Sequence, residues 1–147
     1  MYTIEEFDRA KTKILKYILY QRRSEYEVRN KFSKTIDENM LEDIIEYLKK
    51  AKYINDKEFI QRKIENFMTL KNMSIKEIEY KLIAKGLNKN DIEEYIYNNE
   101  NTLYQYEIKS AQNIIYKKQS TLELEEIKKH LFKKGYKAEN IAKAIEQ

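Results

Sequence analysis

The chain has 147 residues, of which 37% are charged and 41% are apolar, and it contains no Pro, Cys or Trp and only two Gly. Because β-hairpins need Gly, Asn-Gly or Pro turns, an all-β domain is not expected. The lack of cysteine excludes disulfides, thiolate zinc sites and cysteine nucleophiles. A net charge of +4 permits nucleic-acid binding but does not establish it.

The hydropathy of the chain gives no sign of a membrane or secretory segment. No window approaches the roughly 20 apolar residues that a membrane span requires. The first residues lack the basic and apolar regions of a signal peptide. We therefore expect a cytoplasmic protein that does not enter a membrane.

Apolar residues recur at helical spacing along the chain, at i, i+3, i+4 and i+7, which places them on one face of a helix. No stretch shows sustained alternation with a period of two. The sequence therefore predicts an all-α fold. The clearest stripes are Phe7, Ala10, Ile14, Tyr17 and Ile18; Leu41, Ile44, Ile45 and Leu48; and Phe59, Ile60, Ile64, Phe67 and Met68.

Three Ser-x-x-Glu sequences indicate where helices begin, and they start at Ser24, Ser74 and Ser120. In such a capping box the serine hydroxyl accepts from the glutamate N–H, and the carboxylate accepts from the serine N–H. The three boxes lie 50 and 46 residues apart. This regular spacing indicates an internal repeat.

The two glycines indicate where helices end. Gly86 and Gly135 lie 49 residues apart, and each follows a lysine and precedes an apolar residue. This pattern is typical of a helix C-cap in which glycine supplies a positive φ. The distance from Ser120 to Gly135 exceeds that from Ser74 to Gly86, so we expect the later helix to be about one turn longer.

These signals together predict three tandem three-helix repeats, at residues 4–52, 53–99 and 100–147. A unit of about 50 residues buries too little surface to be robust alone, so neighbouring repeats should pack on each other. The predicted architecture is an elongated, curved helical array.

Four stretches in a fixed order resemble the RecX family, the bacterial regulators of the RecA recombinase. One departure is Lys52, where the family often has a small residue of the glycine type before Tyr53. The stretches are QRRSEYEVRNKF at 21–32, YINDKEF at 53–59, IEYKLIAKGL at 78–87, and LFKKGY at 131–136 followed by Ile141.

The resemblance implies a regulator without enzymatic activity, cofactor or metal. Members of the family bind RecA, dock along the groove of its DNA filament, and usually limit filament extension, ATP hydrolysis and strand exchange. We therefore expect RecA and RecA–single-stranded DNA filaments as partners, in recombination, DNA repair and the SOS response. A monomer is expected. Several small binding faces on one array can span neighbouring filament protomers, and linked weak contacts then gain avidity.

A first basic cluster lies near the start of the chain and consists of Arg22, Arg23, Arg29 and Lys31. Arginine suits bidentate contacts to DNA phosphates or to acidic groups on RecA. The alternative interpretation is a solvated helix exterior on which Glu25 and Glu27 neutralise these charges.

A second basic cluster consists of Lys117, Lys118, Lys128, Lys129, Lys133 and Lys134. These lysines could form weak, sequence-independent contacts with DNA, and such binding should weaken as salt is added. Lysines near helix C-termini also occur simply because they interact favourably with the helix dipole. Basic residues exceed acidic ones in the first and third predicted repeats.

The remaining polar and aromatic residues do not suggest a catalytic site. His130 is the sole histidine, and without Cys or converging carboxylates it makes a poor metal ligand or catalytic base. There is no glycine-rich phosphate loop. Tyrosines could stack on bases, but Tyr17, Tyr95 and Tyr136 lie in apolar stripes and are expected to pack.

Two alternative functions remain open on the sequence. Three-helix units also build helix-turn-helix DNA-binding proteins, but a recognition helix should begin with residues such as Arg or Asn that face base edges, whereas Glu25 and Glu27 begin a capped helix here. The second alternative is a helical scaffold for another protein partner.

Overall fold

The computed structural model describes residues 1–146, in which nine α-helices are joined by short turns and no strand occurs. The prediction of an all-α fold is confirmed. The helices are α1 (Ile4–Tyr20), α2 (Glu25–Phe32), α3 (Glu38–Lys50), α4 (Asp56–Leu70), α5 (Ile75–Ala84), α6 (Lys89–Asn98), α7 (Glu100–Lys118), α8 (Leu124–Lys133) and α9 (Ala138–Glu146).

The chain divides into two compact units, and the boundary falls inside α4, between Phe59 and Ile60. The helices can also be grouped in threes, as α1–α3, α4–α6 and α7–α9, and these groups fit the predicted repeats. The repeat boundaries themselves stay a prediction.

In the first unit, α1, α2 and α3 pack against one another. The apolar stripes of α1 and α3 meet in one core, in which Ile14, Ile44 and Leu48 are fully buried. Tyr17 lies at the edge of this core with its ring edge-on to Phe32, at a centroid distance of 5.5 Å. The apolar residues that recur with the helical period thus form the core-facing side of each helix.

In the second unit, α7 packs against α5, α6, α8 and α9. Its buried residues Ile108, Ala111 and Ile114 share a core with α8 and α9. Tyr136, between those two helices, is almost fully buried. Its hydroxyl lies 2.7 Å from the Ser110 hydroxyl, so the buried phenol has the hydrogen-bond partner that it needs.

The predicted capping boxes form at two of the three serines. Ser24 and Ser74 both accept from the N–H three residues on, and both glutamates accept from the serine N–H. A further box, at Thr3 and Glu6, begins α1.

The prediction of a third capping box at Ser120 is wrong. Helix α8 begins at Leu124 after Glu123, which makes no side-chain capping bond. Ser120 belongs instead to the turn that ends α7, in which Thr121 N–H and Leu122 N–H donate to the Lys118 carbonyl. For this reason α8 has 10 residues, as α5 does, and the expected extra turn is absent.

In three helices, α3, α5 and α8, the second residue after the helix has a positive φ: Lys52 at 64°, Gly86 at 83° and Gly135 at 97°. The prediction for the two glycines is confirmed. A Cβ at Gly135 would also lie 2.9 Å from Lys76 Cβ, so this position needs glycine for its close approach to α5 as well as for its φ.

Candidate functional site

The first basic cluster is closely tied to acidic side chains of its own unit. Arg29 donates to both carboxylate oxygens of Glu42, at 2.8 and 3.0 Å, and to Glu25 at 2.9 Å. Lys49 pairs with the same Glu25 at 3.0 Å. This network of Glu25, Arg29, Glu42 and Lys49 joins α2 to α3.

The charges of this network shift one another's pKa values. The hydrogen bonds that Arg29 donates to Glu42 are the main reason that the pKa of Arg29 is raised. Burial alone would raise the pKa of Glu25, but hydrogen bonds from Lys49 and Arg29 outweigh it and hold that pKa below its ordinary value. The guanidinium is therefore held by two carboxylates and is only partly available to a partner.

Of the other basic residues of the first cluster, Arg22 and Arg23 precede α2 and Lys31 lies in its last turn. Arg22 is paired with Glu58, and the Arg23 guanidinium lies over the Tyr17 ring at 4.0 Å. The Lys31 ammonium lies 5.8 Å from the centre of the same ring. Of the four residues, Lys31 and Arg22 are exposed and the two others are half-buried.

The second basic cluster follows the end of α7 and the length of α8. Lys117, Lys129 and Lys133 are exposed, whereas Lys118, Lys128 and Lys134 are half-buried. Lys128 pairs with Glu125 at 3.4 Å, and Lys134 lies 3.9 Å from Glu77.

The pKa of His130 depends on the charges of the second basic cluster. Its pKa is lowered first by partial burial and then by the charges of Lys118 and Lys134, while Glu77 opposes them. The positive charges of these two lysines therefore both act on the imidazole. Within residues 1–146 no group of three or more His, Asp or Glu residues is arranged to hold a metal ion.

The tyrosines divide between packing and exposure. Tyr136 is buried and Tyr17 and Tyr95 are partly buried, as the apolar stripes predict. Tyr106 accepts from Met73 N–H at 2.9 Å and donates to the Lys71 carbonyl at 2.7 Å, so it secures the turn before α5. Tyr116 is exposed at the end of α7.

Sequence reasoning missed a buried carboxylate, Glu107 of α7. It accepts from Ile75 N–H at 2.7 Å, Lys137 N–H at 2.7 Å and the Asn140 side-chain amide at 3.0 Å. Ile75 begins α5 and Lys137 precedes α9, so one carboxylate caps two helix N-termini. The signal in the sequence was a single glutamate within the apolar stripe of a helix.

The surface contains no membrane-spanning element: within the described chain no helix is both long enough and apolar enough to cross a bilayer.

Comparison with known proteins decides the family. No protein-family model matches the chain. The Regulatory protein RecX of Clostridium beijerinckii is 31% identical over 150 residues, an alignment that covers 97% of this chain and 70% of that protein. The chain belongs to the RecX family.

Other RecX proteins match over different lengths. That of Clostridium acetobutylicum is 28% identical over 94% of the chain and 68% of its own length. That of Clostridioides difficile is 29% identical over 92 residues, 63% of the chain and 43% of its own length. The matched part of this relative is therefore less than half of its length.

Solved RecX structures share the fold. The crystal structure of RecX from Lactobacillus salivarius has a TM-score of 0.82 at 23% identity and covers 98% of this chain and 97% of its own. A second crystal structure of regulatory protein RecX has a TM-score of 0.81 at 16% identity, over 97% of this chain and 74% of its own. The all-helical RecX fold is thus retained at low sequence identity.

Proposed function

We propose that this protein binds RecA and RecA–single-stranded DNA filaments and slows filament extension, ATP hydrolysis and strand exchange. The observation that carries the proposal is the 31% identity to a Regulatory protein RecX over nearly the whole chain. In this proposal the protein is a cytoplasmic monomer that regulates without catalysing a reaction, uses no cofactor, and acts in recombination and DNA repair.

The described surface supports the proposal through its charge. The exposed cations Lys31, Lys117, Lys129 and Lys133 form no ion pair with another residue of 1–146, so they can approach a phosphate or a carboxylate of a partner without first breaking one there. Arg29 would have to give up Glu42 or Glu25. We therefore assign the contacts with RecA and DNA chiefly to the exposed lysines and assign Arg29 a structural role.

The three predicted repeats, at residues 4–52, 53–99 and 100–147, have a role in this proposal. Several weak contacts on one chain gain strength because, once one contact has formed, the others become intramolecular. A filament offers the same surface on successive protomers, so a chain of repeated units suits it.

The test is RecA-dependent ATP hydrolysis on single-stranded DNA, with the protein titrated in and RecA taken from the same organism. We expect hydrolysis to fall at protein concentrations well below that of RecA, because one bound molecule affects the filament ahead of it. A parallel DNA-binding assay without RecA, at two salt concentrations, measures the contribution of DNA alone. Affinity for DNA alone should be weak and should fall as salt is raised.

Two outcomes would favour the alternative functions. Unchanged ATP hydrolysis together with tight, sequence-dependent DNA binding would favour a helix-turn-helix DNA-binding protein. Unchanged hydrolysis with no DNA binding would favour a helical scaffold for another partner, which a pull-down from the source organism would then identify.

A further inference from the structure

An open groove in the second unit lies between α8 and α9 and has a volume of about 720 Å³. Phe132 of α8 stands at the groove with 66% of its surface exposed, and Ile145 of α9 is 37% exposed. The residues that line the groove are Glu125, Lys128, Lys129, Phe132, Lys133, Ala138, Ile141, Ala142 and Ile145.

The groove is apolar because α9 carries small residues. When the repeats are aligned by the 49-residue spacing of the two glycines, Lys89 and Glu93 of α6 correspond in sequence to Ala138 and Ala142 of α9. In α6 those two side chains form an ion pair at 3.8 Å. The alanines of α9 instead leave room over Ile141, so that another helix can approach closely.

The charge at the groove is basic. Lys129 and Lys133 are both exposed, and their i, i+4 spacing places them on the same side of α8. Among the described residues that line the groove, Glu125 is the one carboxylate, and it is already paired with Lys128. An occupant with apolar groups on one side and carboxylates on the other would match both features.

We propose that this groove binds an acidic amphipathic helix of a protein partner. An apolar groove bordered by one sign of charge is a typical receptor for such a helix, whose anchors recur at i, i+3, i+4 and i+7. Helices α8 and α9 have 10 and 9 residues, so the groove is about 15 Å long and takes about three helical turns. Phe132 packs against the anchors, and Lys129 and Lys133 pair with the carboxylates.

The proposal goes beyond RecA regulation and can be tested without RecA. The probe is a fluorescein-labelled peptide of about 14 residues, with Leu at the anchor positions and Glu on the polar face. One control peptide has Lys in place of every Glu, and a second has the same composition in scrambled order. Fluorescence anisotropy measures the binding of each peptide to the intact protein.

We expect the acidic helical peptide to bind at least tenfold more tightly than either control peptide, because it alone matches the apolar surface and the basic charge. Phe132→Ala should weaken its binding by about tenfold, since exposed aromatic anchors dominate such interfaces. The double variant Lys129→Glu, Lys133→Glu should weaken it by a similar factor, and added salt should reduce the difference.

Matched variants separate the groove from general charge and folding. The double variant Lys81→Glu, Lys85→Glu makes the same change of charge at exposed i, i+4 positions at the end of α5, and it should bind the peptide as the wild type does. Tyr116→Ala removes an aromatic ring that is 76% exposed outside the groove and should also have no effect. Circular dichroism establishes that each variant is folded.

Three results would overturn the proposal: equal binding of the acidic and basic peptides, unchanged binding by Phe132→Ala, or a dimer that forms in solution and is lost in Phe132→Ala. The last result would assign the groove to a second copy of this chain. Inhibition of RecA is measured separately on Phe132→Ala, which keeps both lysines. Inhibition that persists in this variant while peptide binding is lost would show that the two proposals are independent, whereas Lys129→Glu, Lys133→Glu changes residues that both proposals use.

Discussion

At the scale of single residues, the Glu107 side chain joins distant parts of the second unit by hydrogen bonds. Its carboxylate is fully buried and satisfies two backbone N–H groups and the Asn140 amide. These donors come from residues 32, 30 and 33 positions away. A buried donor without an acceptor costs much more than a typical hydrogen bond contributes.

We predict that Glu107→Ala lowers the free energy of unfolding by about 3 kcal/mol, because it leaves three donors, two of them buried, without their acceptor and opens a cavity. Glu107→Gln should cost about 2 kcal/mol, since its amide NH2 must face at least one of the donors. Urea denaturation followed by circular dichroism measures both. The exposed Glu126→Gln is the control, and a loss for Glu107→Gln no larger than for this control would contradict the role of Glu107.

Ser74 shows how far a single residue can be understood from the sequence. The capping box with Glu77 was predicted, because both partners lie within four residues of each other. The Ser74 hydroxyl also donates to the Lys134 carbonyl at 2.7 Å, across 60 residues of sequence. Contacts at that separation depend on how helices pack, and no pattern in the sequence reports them.

At the scale of elements, helix ends were predicted well where a local rule decides them. The C-terminal ends of α5 and α8 can be predicted from the glycine that follows each helix, because a glycine with a positive φ is typical of the Schellman motif. The prediction for the start of α8 is wrong because it relied on Ser120-x-x-Glu123, which satisfies the capping rule. Helix α7 continues to Lys118, and Ser120 belongs to the turn that follows it. Ser120 cannot both form the turn that ends α7 and cap α8, and in this structure it forms the turn.

The end of α3 is a Schellman motif without glycine. Tyr53 N–H donates to the Leu48 carbonyl at 2.8 Å, and Lys52 N–H donates to the Lys49 carbonyl at 3.1 Å. Lys52 therefore has a φ of 64°. A residue with a Cβ is strained in this left-handed region, and glycine is the usual residue there.

We predict that Lys52→Gly raises the free energy of unfolding by about 0.5–1 kcal/mol, because relief of the strain exceeds the added entropy of the unfolded chain. Lys52→Ala is the matched control: it removes the charge and the long side chain but keeps the Cβ, so it should leave stability nearly unchanged. Thermal unfolding compares the three proteins. Equal gains in both variants would assign the effect to the lysine charge and not to the backbone.

At the scale of the whole molecule, the fold class followed from the sequence because helical periodicity is a local property that extends along the chain. The residues that contact a partner cannot be predicted from the sequence in the same way. A charged residue has the same sequence pattern whether it binds a partner or forms an ion pair within its own unit. Arg29 and Lys129 illustrate the difference: the first is held by two carboxylates, and the second is exposed on α8. The groove between α8 and α9 depends on two alanines whose effect appears only once the helices are packed.

The network of Glu25, Arg29, Glu42 and Lys49 makes the stability of the first unit depend on pH. The folded pKa of Glu25 is lower than its ordinary value of 4.5. A carboxylate of this kind stabilises the fold fully above its unfolded pKa, and the contribution is lost as pH falls through the lower, folded pKa. Stability should therefore decrease on acidification below the ordinary value.

We predict that Glu25→Gln lowers the free energy of unfolding by about 0.5–1 kcal/mol at neutral pH, the range of partly exposed ion pairs. In acid, at a pH below the lowered folded pKa, the difference from the wild type should nearly vanish, since the wild-type carboxylate is then protonated too. Urea denaturation at both pH values measures this, and Glu46→Gln, an exposed change on α3, is the control. A difference that stays constant with pH would show that Glu25 acts through its shape and hydrogen bonds and not through its charge.

Added salt provides an independent check, because it weakens ion pairs. It should reduce the stability difference between Glu25→Gln and the wild type at neutral pH but leave the small difference in acid unchanged.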